Sequence, residues 1–147
     1  MIAGACQCGA VRYEIVGRPA RLYVCHCRAC QKQSASAFGM SLTVRRDALR
    51  VTGDVADWER ATDIGTRTRC FFCPNCGSRV YHQGSSRPDH LTIKAGSLDD
   101  TAGLAPSAHI WVSRKQSWVV IPDNVPQHST QPDDLEGWVS QCEGGRR

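Results

Sequence analysis

The chain has 147 residues, 41% hydrophobic and 22% charged, enough to bury one core without disulfide support. Its net charge of +4 includes the terminal Arg146 and Arg147, and no basic stripe runs through the rest, which argues against a nucleic-acid binder. The first residues lack the basic start and apolar run of a secretory peptide, and no stretch of about 18 apolar residues occurs, so a cytoplasmic chain without a membrane span is expected.

Nine cysteines in such a compartment point to metal ligation rather than disulfides, and their odd number agrees. The first cluster is Cys6-Gln7-Cys8-Gly9. In an extended segment residues i and i+2 face the same way, so both sulfurs can reach one ion. Strands are expected over residues 10–16 and 21–25. The second cluster, Cys25-His26-Cys27-Arg28-Ala29-Cys30, follows at once and leads into the best helical stretch, 28–34. Three thiolates within six residues, with no fourth cysteine nearby, match a zinc site that keeps one position open. A closed site completed by His26, Cys70 or another side chain is the alternative. His26 alternates away from its flanking cysteines in an extended segment and is the poorer ligand.

Further strands are expected over 38–43, 49–52, 55–60, 67–72, 79–82, 91–95 and 109–112. In Leu49-Arg50-Val51-Thr52 the apolar residues take every second place, as in a half-buried strand. This spacing predicts a mainly β sandwich or barrel with little helix. The third cluster, Cys73-Pro74-Asn75-Cys76-Gly77, has the composition of a zinc knuckle. Its two thiolates need two more ligands, and Cys6 and Cys8 supply them. The resulting four-cysteine site ties the N-terminus to the middle of the chain and turns metal binding into folding energy. A redox C-x-x-C pair is the alternative, but no βαβ pattern surrounds it. Cys70 reads as a buried small hydrophobe and Cys142 as a tail residue that binds nothing. His82, His90, His109 and His128 read as structural or surface residues. From Ser129 onward the composition turns polar, which divides the chain into a domain at 1–128 and an extension at 129–147, partly disordered or a short helix.

Taken together, these clusters resemble the family of glutathione-dependent formaldehyde-activating enzymes, which also takes in the centromere protein V domain. The resemblance runs through Gly4-Ala5-Cys6-Gln7-Cys8-Gly9-Ala10-Val11-Arg12-Tyr13 and Cys25-His26-Cys27-Arg28-Ala29-Cys30-Gln31-Lys32. It continues in Arg69-Cys70-Phe71-Phe72-Cys73-Pro74-Asn75-Cys76-Gly77-Ser78, in Ala95-Gly96-Ser97-Leu98-Asp99-Asp100, and in His109-Ile110-Trp111-Val112 with Trp118 and Pro122-Asp123. The resemblance implies an Mss4-like fold of twisted β-sheets around zinc. It makes Cys6, Cys8, Cys73 and Cys76 ligands of a structural zinc, and Cys25, Cys27 and Cys30 ligands of a catalytic zinc whose fourth position takes the glutathione thiol. The implied activity is that of a carbon–sulfur lyase joining glutathione, or a related thiol, to formaldehyde as S-(hydroxymethyl)glutathione. Its partners would be a small thiol and an aldehyde. His26, Arg28 and Lys32 are then candidate glutathione contacts. A glutathione-binding carrier without turnover and a purely structural zinc module are the competing expectations.

Overall fold

Short alternating segments separated by turn residues become ten strands in the computed structural model, which describes residues 1–19, 21–134 and 137. The strands are β1 (Ile2–Ala5), β2 (Arg12–Ile15), β3 (Arg21–Cys25), β4 (Gly39–Arg45), β5 (Leu49–Thr52), β6 (Ala56–Ala61), β7 (Arg67–Phe72), β8 (Arg79–Gly84), β9 (His90–Lys94) and β10 (His109–Ile110). One short helix, α1 (Arg28–Ser34), follows β3. A three-stranded sheet has the order β1-β2-β5, and a seven-stranded sheet the order β10-β3-β4-β9-β8-β7-β6. All pairings are antiparallel except β10 with β3. The mainly β architecture expected from the strand spacing is therefore present. Among the described residues no helix is long and apolar enough to cross a membrane.

The large sheet has two unlike faces, and its register shows why. Cross-strand partners share a face, so residues aligned across neighbouring strands form rows. One row reads Leu22, Leu42, Ile93, Tyr81, Phe71 from β3 to β7. It is apolar, and the Phe71 and Tyr81 rings stack with centroids 4.4 Å apart. This face packs on the small sheet, with Val11, Tyr13 and Ile15 meeting Leu42, Val44, Leu91 and Ile93 in one core. Each large apolar side chain buried there contributes roughly 1.5–3 kcal/mol. The adjacent row reads Arg21, Thr43, Thr92, His82, Cys70, Trp58. It is polar and faces the other way. The core and the chemistry occupy opposite sides of the same sheet.

Three strands and the helix have the expected bounds, and most others differ by one or two residues. Strand β1 was not expected, because Ile2-Ala3-Gly4-Ala5 is too small and apolar to show alternation. Pairing with β2 in full register supplies what the local sequence lacks. Past β10 the chain returns along it: His128 donates its backbone N–H to His109 O, and Trp111 donates to Thr130 O. Packing thus crosses the boundary that composition placed after residue 128. Cys142, Arg146 and Arg147 lie outside the described residues, as does most of the stretch where a terminal helix or disorder was expected.

Candidate metal centres

Two turns of similar construction build the first centre. In one, Gly9 N–H donates to Cys6 O at 3.0 Å, and Cys6 N–H donates to Val11 O at 2.9 Å. In the other, Gly77 N–H donates to Cys73 O at 2.8 Å, and Cys73 N–H donates to Ser78 O at 3.0 Å. Each turn closes on a glycine in the left-handed region, Gly9 at φ +78° and Gly77 at φ +75°, where a side chain would be strained. Cys6 and Cys8 therefore converge by a turn and not by the two-residue repeat of an extended segment, which corrects the sequence-based geometry. The sulfurs of Cys6 and Cys8 are 3.5 Å apart, those of Cys8 and Cys73 are 3.8 Å apart, and all four with Cys76 lie within 4.8 Å of one another. Four sulfurs arranged tetrahedrally at about 2.3 Å from zinc stand ~3.8 Å apart, so the set fits such an ion. Neighbouring donors are already aimed at the sulfurs. Val11 N–H reaches Cys6 Sγ at 3.2 Å, Asn75 Nδ2 reaches Cys8 Sγ at 3.2 Å, and Ser78 Oγ stands 3.2 Å from Cys76 Sγ. The Ser78 hydroxyl and backbone bring the Cys76 thiol down to about 5.

The second centre forms where β3 ends and α1 begins. Cys25 is the last residue of β3, held between β4 and the parallel β10. Cys27 caps α1: its backbone is extended, and its sulfur accepts the Cys30 N–H at 3.4 Å. One helical turn then brings Cys30 back, and the three sulfurs lie within 4.8 Å of one another. Among the described residues this group stops at three; His26 and Cys70, the alternatives for a fourth ligand, stand outside it. Hydrogen bonds from the Cys25 and Cys30 thiols hold Cys27 down to about 2, while the same sharing, with burial, pushes Cys25 well above the ordinary thiol range. One thiolate bridged by two thiols is a donor set that a cation can take over, replacing the shared protons.

These sulfurs open onto a cavity of about 140 Å³ floored by the polar face of the large sheet. Tyr23, Ser41, Cys70 and His82 line it from that face, with Arg60 and Arg87 at its sides. The Arg87 Nη1 is buried and meets no hydrogen-bond partner. Burial, reinforced by the cations of Lys94 and Arg60, pushes His82 well below its ordinary 6.5. Below pH 6.5 the unfolded chain binds a proton at His82 and the folded chain does not, so this residue lowers stability as pH falls through that window. The unfolding free energy of wild type minus that of His82→Gln is expected to drop by up to about 1.4 kcal/mol per pH unit below 6.5, read from urea titrations at stepped pH.

The candidate contacts lie elsewhere. His26 is 0% exposed, with Nε2 2.9 Å from His109 Nδ1 and its ring against the edge of Phe38. Arg28 donates to Gln31 Oε1, and Arg28 and Lys32 line a separate hollow with Gln116. The cysteine cavity thus gathers Cys25, Cys27 and Cys30 but not His26, Arg28 or Lys32. Sequence reasoning missed Arg60, His82 and Arg87. Only the pairing of β6, β7, β8 and β9 brings them near the cysteines, and the one local signal was the place of Cys70 inside a strand.

A family model described as Glutathione-dependent formaldehyde-activating enzyme matches residues 1–114. A Halomonas elongata protein named "Putative glutathione-dependent formaldehyde-activating enzyme" is 27% identical over 130 residues, covering 82% of this chain and 81% of that protein. A crystal structure of a Rhodobacter sphaeroides protein superposes with a TM-score of 0.55 at 24% identity, over 71% of this chain and 97% of that one. The likeness agrees with an Mss4-like fold of twisted sheets. With the family match spanning both cysteine centres, the chain belongs to the glutathione-dependent formaldehyde-activating enzyme family.

Proposed function

We propose that this chain is a zinc-dependent enzyme of the carbon–sulfur lyase type that condenses glutathione with formaldehyde to S-(hydroxymethyl)glutathione. The observation that carries the reading is a three-sulfur set, one ligand short of tetrahedral, open to a cavity that holds Arg60 and Arg87. In this reading Cys6, Cys8, Cys73 and Cys76 hold a structural zinc, and Cys25, Cys27 and Cys30 hold the catalytic one. A zinc ion at the second centre supplies the positive charge that keeps an incoming thiol, ordinarily of pKa about 8.5, deprotonated near neutral pH.

The protein groups around it have separate tasks. The Cys30 N–H steadies the Cys27 sulfur, and the Gln33 amide reaches Cys30 Sγ at 3.6 Å, so both sulfurs keep donors that offset negative charge. Arg60 and Arg87 give the cavity a positive field suited to an anionic peptide and to the negative charge that develops on the aldehyde oxygen. In the overall step the glutathione S–H bond breaks, a sulfur–carbon bond forms to the aldehyde carbon, and the carbonyl π pair takes the proton as a hydroxyl. Nothing is oxidised or reduced.

Exchange spectroscopy on mixtures of glutathione and formaldehyde tests the reading. Zinc-loaded protein is expected to raise the rate of adduct formation above the spontaneous one, in proportion to protein concentration. Binding of glutathione with no change in rate would overturn catalysis and leave a carrier.

A further inference from the structure

A second cavity, of about 650 Å³, lies beside the first, and Gln33 lines both. Its walls come from the two cysteine turns (Gln7, Ser78), from the end of α1 and the start of β4, and from residues 96–99. At Gly39 the partition from the second metal centre is one backbone thick. A Cβ built there would stand 3.3 Å from Cys30 Cβ and 3.5 Å from Gln33 Nε2.

Two cations line this cavity, each with a buried nitrogen that meets no hydrogen-bond partner. Lys94 ends β9 on the polar face of the large sheet, opposite Ser41, and Arg79 opens β8. The Lys94 Nζ and the Arg79 Nε are both buried, and neither meets a hydrogen-bond acceptor. The one carboxylate in the wall, Asp99, is taken by Arg12 at 3.3 Å. Buried cations are ordinarily paired, and two of them near each other repel. An oxyanion between them would satisfy both with charge-assisted hydrogen bonds. The neighbouring cysteine centre offers Lys94 an attractive charge, from Cys30 first, but none of its sulfurs accepts a hydrogen bond from either nitrogen. A buried polar group left unpaired calls for an explanation, and a bound anion is one that serves both nitrogens at once.

We propose that this second cavity is a carboxylate subsite, in which Lys94 and Arg79 hold a carboxylate of the same thiol that docks its sulfur at Cys25, Cys27 and Cys30. The inference rests on reading that cluster as a thiol site. The chain of the thiol would pass Gln33, whose side chain borders both cavities. A thiol substrate is then selected at two separated points, its sulfur and a remote carboxylate. A monothiol lacking the carboxylate is a poor substrate for a reason unrelated to metal chemistry.

Calorimetric titrations separate the two points. Two ligands are used: S-methyl glutathione, with its sulfur blocked and carboxylates free, and glutathione diethyl ester, with the reverse. Wild type is expected to bind S-methyl glutathione. Lys94→Met and Arg79→Met should each weaken that binding about tenfold or more, while ester binding changes by less than about twofold. Lys94→Arg should restore most of the loss. Unchanged S-methyl glutathione affinity in both Met variants, or an equal loss for the ester, overturns the subsite. If the ester still binds wild type in either case, the thiol reading stands. If the ester fails to bind but S-methyl glutathione binds through Lys94, the thiol reading falls and the carboxylate site remains. Acetate competing as well as S-methyl glutathione would assign the cavity to a free carboxylate and overturn the link to the thiol. Should a Met variant misfold, Lys94→Gln and Arg79→Gln take its place, with the same losses expected and the same outcomes overturning the subsite.

Discussion

Cys73→Ser is expected to leave the chain largely unfolded, with loss of both bound metal and cooperative thermal unfolding. Cys73 is 0% exposed and belongs to the same core as Cys6, Tyr13 and Ile93, so the first centre lies in the packing and not beside it. It joins residues 6 and 8 to residues 73 and 76 across a long loop, and through them the three-stranded sheet to the seven-stranded one. Structural zinc sites contribute roughly 10–16 kcal/mol of apparent binding energy near neutral pH. Whole domains are stable by only about 5–15 kcal/mol. Losing one ligand therefore removes an amount comparable with the entire margin. Circular dichroism during a thermal ramp, with metal analysis of the same sample, checks this. Strong chelation of wild type should reproduce the result. A Cys73→Ser protein that unfolds at the wild-type temperature would show that the centre contributes little.

Cys27→Ser is expected to do the opposite. The protein stays folded, bound metal drops from about two equivalents per chain to about one, and the rate of adduct formation returns to the spontaneous value. Cys27 is only half-buried and its structural task is to cap α1, which serine performs at least as well as cysteine. The second centre joins residues 25 to 30, a local segment, so losing it opens no long loop. Metal analysis, thermal unfolding and exchange spectroscopy on one preparation give the three readouts. Collapse of the fold would make the second centre a structural one.

The contrast between these variants matches what was and was not legible in the sequence. Cysteine spacings are local, so Cys25, Cys27 and Cys30 could be grouped by inspection, and the two short Cys motifs could be paired because each lacked two ligands. Strands β5 and β7 were legible because buried and exposed side chains alternate along most of their length, and β3 because Leu22-Tyr23-Val24-Cys25 is a short apolar run. Strand β1 was not, because its small residues carry no period, and pairing decided its conformation. Nor was the geometry of Cys6 and Cys8 legible, because a turn and an extended segment both bring alternate sulfurs together. The cavity was hidden for a deeper reason. Arg60, His82 and Arg87 come from β6, β8 and the turn after it, and only sheet register makes them neighbours. His26 was misleading for the opposite reason. Closeness in sequence to two cysteines suggested a ligand contact, yet strand alternation turns its ring into the interior against His109.

The two unlike faces of the large sheet bear on how such a protein diverges. Residues that hold it together, such as Leu42, Ile93 and Tyr81, alternate with residues that shape the cavity, such as Ser41, Thr92 and His82. Substitutions in the second set leave the first untouched, since the backbone of the sheet separates them. A lineage can therefore change the thiol or the aldehyde it accepts one outward-facing residue at a time, with the interior acting as an unaltered chassis. Only an insertion or deletion within a strand, which would exchange the two sets, is barred.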